Sequence, residues 1–197
     1  MVIENKKPIT GRNSSFLKVI EILDNTYNKP ITIVETGCIR NTTEESKIGD
    51  GWSTLNWEYY AKKTNSKVYV VDINEGHLNQ SKKIVPPSEY VEYTQDDSIN
   101  YLKKFDMKFV VLFTDSYDYC GDEENIRKCH NHSLNEIKAA WNKLNNKCFI
   151  LIDDVFNDKN WVGKGELSIP YLLKNGFEAD DVIGTLAKIA EKEGFKT

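Results

Sequence analysis

Short runs of consecutive apolar residues alternate along the chain with longer segments in which apolar residues recur every three or four positions. The short runs are typical of buried strands, and the longer segments predict amphipathic helices. The predicted strands are 31–34, 68–71, 90–93, 109–113 and 149–152. The predicted helices are 14–27, 52–63, 75–84, 98–104 and 134–144. This alternation predicts an α/β fold with a mostly parallel sheet and helices on both of its faces.

The length of 197 residues, 40% of them apolar, fits one domain with a sizeable core. We expect the domain to span 1–175 and a helical tail to span 176–197, with Val182, Ile183, Leu186 and Ile189 on one face. This helix would replace a terminal strand hairpin. The fourth or fifth strand would then have an open edge, which makes a homodimer a reasonable hypothesis.

The charge and hydropathy of the chain exclude several functions. A formal net charge of −4 with interspersed signs argues against a dedicated nucleic-acid partner. No apolar run approaches the roughly 20 residues that span a bilayer. Residues 1–11 are polar and lack the apolar stretch of a signal peptide, so we expect a cytoplasmic protein.

Two cysteines and two histidines lie between Cys120 and His132, a composition that could suit zinc. Zinc sites usually consist of two separated ligand pairs at short spacings, whereas these residues are crowded at one predicted helix start. We therefore expect reduced thiols here.

Every predicted strand is followed by acidic residues. They are Glu35, Asp72, Asp96 with Asp97, Asp115, and Asp153 with Asp154. Ligands of open α/β sheets bind outside the carboxyl ends of the strands, where the strand order reverses. A single aspartate after a strand is routine in turns and caps, but the recurrence indicates a site that handles hydroxyl groups and a cation.

Two of these strand ends have a specific physical use. Gly37 allows the main chain to approach a ligand closely, because it has no Cβ. Asp72, 35 residues later, lies where Rossmann-like folds place an acid that accepts hydrogen bonds from ribose hydroxyls. The alternative for Asp72 is a cap of the next helix.

The first half of the chain resembles the class I, Rossmann-like S-adenosylmethionine-dependent methyltransferases. Residues 34–37 (VETG), 70–72 (VVD) and 95–98 (QDDS) are similar to the first three motifs of that family, and 49–54 (GDGWST) resembles the second half of the first motif. Residues 39–48 would then be an insertion over the cofactor or substrate. The resemblance implies that S-adenosylmethionine is held by Glu35, Gly37, Cys38, Gly51, Ser53, Asp72, Asp97 and Ser98.

The second half is similar to small-molecule O-methyltransferases, especially the macrocin type that acts on sugars. Residues 113–118 (FTDSYD) and 151–154 (LIDD) carry this likeness. It implies a hydroxylated small-molecule acceptor and a Mg²⁺ ion held by Asp115, Asp153 and Asp154, because a hard cation can orient a hydroxyl and lower its pKa. Alternatively, these acids cap helices and orient the amine of the cofactor. Asp115 and His132 are the catalytic candidates, His132 as a general base, and a solvated surface histidine is the alternative for His132.

The end of the chain differs from a methyltransferase. Residues 176–197 resemble the Glu-Ala-Asp-Asp segment of the 5′-nuclease domain of bacterial DNA polymerases. Two hypotheses therefore compete with methyl transfer to a hydroxyl. One is a catalytically degenerate domain that binds a cofactor or nucleotide, and the other is a fragment of a metal-dependent 5′-nuclease.

Overall fold

A computed structural model describes residues 13–49, 51–156 and 161–177. The described helices are α1 (Asn13–Thr26), α2 (Glu44–Gly49), α3 (Ser53–Thr64), α4 (Glu75–Ile84), α5 (Ser98–Lys104), α6 (Glu123–Ala140) and α7 (Gly165–Lys174). The described strands are β1 (Thr32–Thr36), β2 (Lys67–Asp72), β3 (Val91–Gln95), β4 (Phe109–Thr114), β5 (Leu144–Ile152), β6 (Val155–Phe156) and β7 (Val162–Gly163). A short 3₁₀ helix, Trp141–Lys143, follows α6.

Five parallel strands form one sheet in the order β3-β2-β1-β4-β5, which confirms the predicted Rossmann-like fold class. The central strand is β1, in which Val34 pairs with Tyr69 of β2 on one side and with Leu112 of β4 on the other. The chain moves outward from β1 to β3 and then returns to β4. The strand order therefore reverses between β1 and β4, and the carboxyl ends of these strands are where such a sheet binds its ligands.

Both faces of the sheet are buried, which explains the continuous apolar strands. Neighbouring residues point to opposite faces: Ile33 and Val111 pack with α1 and α3, whereas Val34 and Leu112 pack with α5, α6 and α7. All four side chains are fully buried. A strand covered on both faces has no polar side to alternate with, so its sequence loses the period of two.

An aromatic cluster fixes the first layer of helices on the sheet. The ring of Phe16 in α1 lies 5.1 Å from that of Trp57 in α3 and 5.8 Å from that of Phe113 in β4, edge to face in both cases. Edge-to-face pairs of this kind add about 0.5–1.5 kcal/mol to what burial alone contributes. The cluster thereby holds the start of α3 over the carboxyl end of β1.

The two helices with the predicted bounds carry strong local caps. The side chain of Asn74 accepts hydrogen bonds from two main-chain N–H groups at the start of α4, and Asp97 accepts one from Asn100 at the start of α5. The predicted helix 134–144 is wrong at both ends. It begins at Glu123 behind the capping Asp122, and Leu144 already belongs to β5, where it pairs with Phe109.

Four of the described elements have no counterpart in the sequence prediction. The insertion contains α2, and the segment after β5 forms an antiparallel hairpin of β6 and β7 followed by α7. The tail 178–197, with its predicted helix and nuclease-like segment, lies outside the described residues. In the described sheet β5 is an edge strand, as the homodimer hypothesis requires. The homodimer itself stays a prediction. None of the described helices combines the length and apolar character needed to cross a membrane.

Candidate functional site

The loops after β1 and β4 touch each other through Gly37 and Asp115. The N–H of Asp115 donates to the carbonyl of Thr36 (2.9 Å), and the N–H of Gly37 donates to the carbonyl of Val71 (2.8 Å). Gly37 has a φ of +83°, and a Cβ built there would lie 2.3 Å from the carbonyl oxygen of Asp115. The sequence predicts that Gly37 approaches a ligand, and the close approach in the structure is to the main chain of Asp115. Glycine is therefore required where the two loops meet.

Glu35 links the two halves of the split loop. This side chain is fully buried in β1, and its carboxyl accepts a hydrogen bond from the hydroxyl of Ser53, the first residue of α3. Burial raises the pKa of Glu35 from 4.5 to about 8, although the hydroxyl of Ser53 favours the charged form. The insertion thus leaves the two halves in direct contact.

The insertion is fastened to the start of α3 by a left-handed turn. Gly51 and Trp52 have φ values of +80° and +42°. The indole N–H of Trp52 donates to the hydroxyl of Ser46 (3.2 Å), and the side-chain amide of Asn56 donates to the carbonyl of Gly51 (3.2 Å). The second half of the predicted loop therefore has a defined conformation beside β1.

Asp72 ends β2 with a carboxylate that is largely buried. One oxygen, Oδ1, accepts a hydrogen bond from the N–H of Asn74 (2.7 Å), and the other, Oδ2, lies 3.5 Å from both the thiol of Cys38 and Nδ1 of His77. Burial and the charge of Asp72 raise the pKa of the Cys38 thiol, which therefore stays protonated. The edge formed by β1 and β2 thus presents a carboxylate beside a neutral thiol.

A buried network connects α5, the end of β4 and α6. Nε2 of His132 lies 2.8 Å from the hydroxyl of Ser116 and 3.0 Å from that of Ser98, and Ser116 donates to Glu136 (2.7 Å). Burial opposes the charges of His132 and Glu136, but their pairing raises the pKa of His132 and lowers that of Glu136. His132, which lies in the middle of α6, thus contacts Ser98, a predicted cofactor-binding residue at the start of α5.

Three carboxylates meet where β4 and β5 end. Ligand atoms of Asp115, Asp153 and Asp154 all lie within 4.8 Å of one another, a grouping able to hold a metal ion. Burial and the charge of Asp153 raise the pKa of Asp115 above its ordinary value. The predicted metal ligands are therefore brought together.

The ammonium of Lys164 lies inside this cluster. Its Nζ is 2.7 Å from Oδ1 of Asp115 and 3.1 Å from Oδ2 of Asp154. The lysine is 2% exposed, and the surrounding carboxylates outweigh its burial and raise its pKa. A divalent cation bound by these carboxylates would lie beside the buried ammonium and be repelled by it, so the residues present do not fit one.

Three contacts involve the loop that follows β4. Arg40 of the insertion forms an ion pair with Asp118 (2.5 Å), which joins the insertion to the loop after β4. In the same loop, the ring of Tyr119 stacks on that of His130 (5.7 Å) and lies 5.5 Å from that of Phe156 in β6, a residue that is 48% exposed. The rim therefore carries both an ion pair and an aromatic surface.

The predicted site residues occupy one edge of the sheet in two groups. The first group surrounds the ends of β1, β2 and β3: Glu35, Gly37, Cys38, Gly51, Ser53, Asp72, Asp97 and Ser98. The second group is the carboxylate cluster at the ends of β4 and β5. Sequence reasoning missed Lys164 and Glu136. The available signals were the glycines on either side of Lys164 and the spacing of four residues between Glu136 and His132 on one helix.

Several solved structures share this fold. The methyltransferase PaMTH1 of Podospora anserina, solved with S-adenosylhomocysteine, has a TM-score of 0.55 at 17% identity, covering 84% of this chain and 70% of its own. A Clostridium thermocellum protein named as an rRNA methylase has a TM-score of 0.54 at 15% identity, covering 91% and 87%. A Streptococcus mutans methyltransferase in complex with S-adenosylhomocysteine has a TM-score of 0.53 at 13% identity, covering 90% and 86%. At these identities the likeness shows the fold.

No curated protein sequence matches the chain significantly. A family model described as "Methyltransferase domain" matches residues 47–155, more than half of the 197 residues. The match begins in α2 and ends in β6, so it takes in the strand ends that carry Asp72, Asp97, Asp115 and the Asp153–Asp154 pair. The chain therefore belongs to the methyltransferase domain family.

Proposed function

We propose that the chain is an S-adenosylmethionine-dependent methyltransferase that methylates a hydroxyl oxygen of a small molecule, with sugars and glycosylated metabolites as the acceptor class. The observation that carries the proposal is the family match over residues 47–155, because it coincides with the acidic strand ends at one edge of the sheet. Solved neighbours that bind S-adenosylhomocysteine support the same cofactor.

The ends of β1 and β2 would hold the methionine and ribose parts of the cofactor. Oδ2 of Asp72 has only the 3.5 Å contacts with Cys38 and His77 among the described residues, so it can accept hydrogen bonds from ribose hydroxyls. The neighbouring strand end, loops and helix start carry the other predicted cofactor-binding residues, Glu35, Gly37, Cys38, Gly51 and Ser53. Burial raises the pKa of Glu35 to about 8, and a cationic amine beside this carboxyl would favour its charged form.

The start of α5 would hold the adenine. Asp97 caps this helix through Asn100, and Ser98 is fixed by the network of His132, Ser116 and Glu136. His132 would then act by positioning Ser98, since its Nε2 lies within hydrogen-bond distance of two hydroxyls. This role differs from the general base that the sequence suggests.

Asp115 would receive the proton of the acceptor hydroxyl. When bound, S-adenosylmethionine supplies an electrophilic methyl carbon on a sulfonium sulfur, and the carbon–sulfur bond breaks as the acceptor oxygen attacks. The side chain of Asp115 is 29% exposed, which leaves it open to an acceptor. Its raised pKa moves it toward neutrality, where a general base is most effective.

The rim beside Asp115 suits a sugar ring. Tyr119 and the exposed Phe156 offer an aromatic surface against which the C–H face of a sugar can pack. The hydroxyls of the ring would find hydrogen-bond acceptors among the carboxylates below. This combination of apolar face and acceptor groups supports the proposed acceptor class.

Turnover tests the proposal. The full chain is incubated with S-adenosylmethionine and a panel of glycosides and polyols, and S-adenosylhomocysteine is quantified by mass spectrometry. We expect Asp115→Asn to lower kcat at least ~100-fold, in line with loss of a general base. Asp106→Asn changes an exposed aspartate in the loop before β4 and is expected to leave kcat unchanged. Equal rates in both variants would remove Asp115 from the mechanism.

The alternative is a degenerate domain that binds the cofactor without turnover. The hydrogen bond from Ser53 to Glu35 favours an intact loop, because it reunites the two halves separated by the insertion. Binding of S-adenosylmethionine without any methylated product across the acceptor panel would favour the degenerate domain instead.

A further inference from the structure

Lys164 is held in the carboxylate cluster by the main chain as well as by its own charge. The N–H of Lys164 donates to the carbonyl of Asp154 (3.1 Å), the same residue whose carboxylate contacts its ammonium. The preceding Gly163 has a φ of +95°, and a Cβ there would lie 1.9 Å from that carbonyl oxygen. The close packing of the hairpin on Asp154 therefore fixes the main chain of Lys164 beside the cluster.

The residue before each strand of the hairpin has a strained main-chain conformation. Asp154 and Trp161 adopt left-handed φ values of +51° and +56°, which non-glycine residues rarely occupy. Strain of this kind persists only where the surrounding structure holds it, and it is concentrated at functional sites. In this hairpin it brings the 2% exposed Lys164 between Asp115 and Asp154.

An ammonium and a divalent metal cannot share these oxygens. The 2.7 Å contact of Lys164 with Asp115 is a charge-assisted hydrogen bond, and the 3.1 Å contact with Asp154 is an ion pair. A divalent ion held by the three carboxylates would lie beside a positive charge that the fold buries, and the two cations would repel each other. Either the lysine or the metal can occupy the centre.

We propose that Lys164 is the resident cation of this centre, taking the position that a divalent metal would otherwise take, so that the centre works without metal. Lys164 is then a positioning residue that holds the carboxylates of Asp115 and Asp154 in place. The inference does not depend on the proposed methyl transfer, because its test measures metal binding and not turnover.

Binding of Mn²⁺, followed by electron paramagnetic resonance of the free ion, tests the proposal on the full chain. We expect the wild type to bind no stoichiometric Mn²⁺, because Lys164 fills the centre. Lys164→Met keeps the length of the side chain but removes the charge, and it should bind one Mn²⁺ at least ~10-fold more tightly than the wild type, since three carboxylates suit a hard cation. This gain should disappear in Lys164→Met combined with Asp153→Asn.

Two controls separate the outcomes. Lys62→Met removes an exposed lysine that pairs with Glu58 on α3, and it should gain no Mn²⁺ site. If Lys164→Met fails to fold, the wild type and Asp153→Asn still decide the matter. One Mn²⁺ bound by the wild type and lost in Asp153→Asn would overturn the proposal, and so would a folded Lys164→Met that gains no binding.

Discussion

Replacing Gly37 by alanine tests the contact between the loops after β1 and β4. Alanine at this position must adopt a φ near +83° and place its Cβ 2.3 Å from the carbonyl oxygen of Asp115, whereas real Cβ atoms essentially never approach closer than 3.0 Å. Gly121 provides a matched control. Its φ is +90°, but a Cβ there would meet nothing closer than the side chain of Asn125 at 3.5 Å.

The two substitutions share their conformational terms and differ in the clash. A left-handed alanine costs roughly 1–2 kcal/mol, and the smaller conformational freedom of the unfolded chain returns about 0.4–1 kcal/mol. Gly37→Ala must also displace Asp115, which weakens its hydrogen bond to Thr36 by about 1 kcal/mol and adds overpacking of about 1–3 kcal/mol. We therefore expect a loss of about 3–4 kcal/mol for Gly37→Ala and about 1 kcal/mol for Gly121→Ala.

Urea denaturation followed by circular dichroism measures both free energies of unfolding. The midpoint should fall strongly for Gly37→Ala and slightly for Gly121→Ala, with similar m-values. Equal losses in the two variants would refute the reasoning, because they would show that the contact with Asp115 carries no energetic cost.

Three further predictions concern buried groups. The folded state raises the pKa of Glu35 from 4.5 to about 8, so the stability that its protonation contributes is lost as the pH rises between those values. The fall in unfolding free energy between about pH 5 and pH 8 should therefore be smaller in Glu35→Gln than in the wild type. An unchanged fall would contradict the raised pKa of Glu35. In urea denaturation, Lys164→Met should lower the unfolding free energy by about 1.5–3 kcal/mol because it removes the charge-assisted hydrogen bond to the partly buried Asp115, whereas Lys62→Met should change it by less than about 0.5 kcal/mol. Trp57→Ala should lower the free energy of unfolding, measured by urea denaturation, by about 3–5 kcal/mol. Tyr59→Ala, which changes an exposed residue on the same helix, should lower it far less, and similar losses would contradict the packing described for α3.

The sequence predicts the sheet well because its strands are buried on both faces. A run such as 109–113 leaves no alternative to a core strand, and the caps of Asn74 and Asp97 mark where α4 and α5 begin. The acidic residues that follow the strands then gather at one edge of the sheet, because parallel strands bring their carboxyl ends together.

The errors arise where polar or long-range interactions decide the structure. The first three turns of α6 contain Glu123, Arg127 and Lys128, so no apolar stripe announces them, although Asp122 and the acids behind it are a start signal. Leu144 continues the helical period of 134–144, but pairing with Phe109 places it in β5. Tertiary contacts override the local pattern there.

The candidate site shows the same division. Its carboxylates are visible in the sequence because each directly follows a strand. The sequence does not reveal the ammonium of Lys164, because a hairpin of two short strands brings it back to Asp115 from 49 positions away. Sequence reasoning therefore finds the ligands of a cation and assigns them a metal, whereas the fold supplies a lysine.

Isothermal titration calorimetry with S-adenosylhomocysteine tests the central claim, that the edge formed by β1, β2 and β3 binds the cofactor. We predict one site per chain for the wild type and for Asp106→Asn. Asp72→Asn, which loses the charged acceptor for the ribose hydroxyls, should bind at least ~10-fold more weakly, a difference of about 1.4 kcal/mol. Equal affinity in all three proteins, or no heat of binding with the folded wild type, would contradict the account.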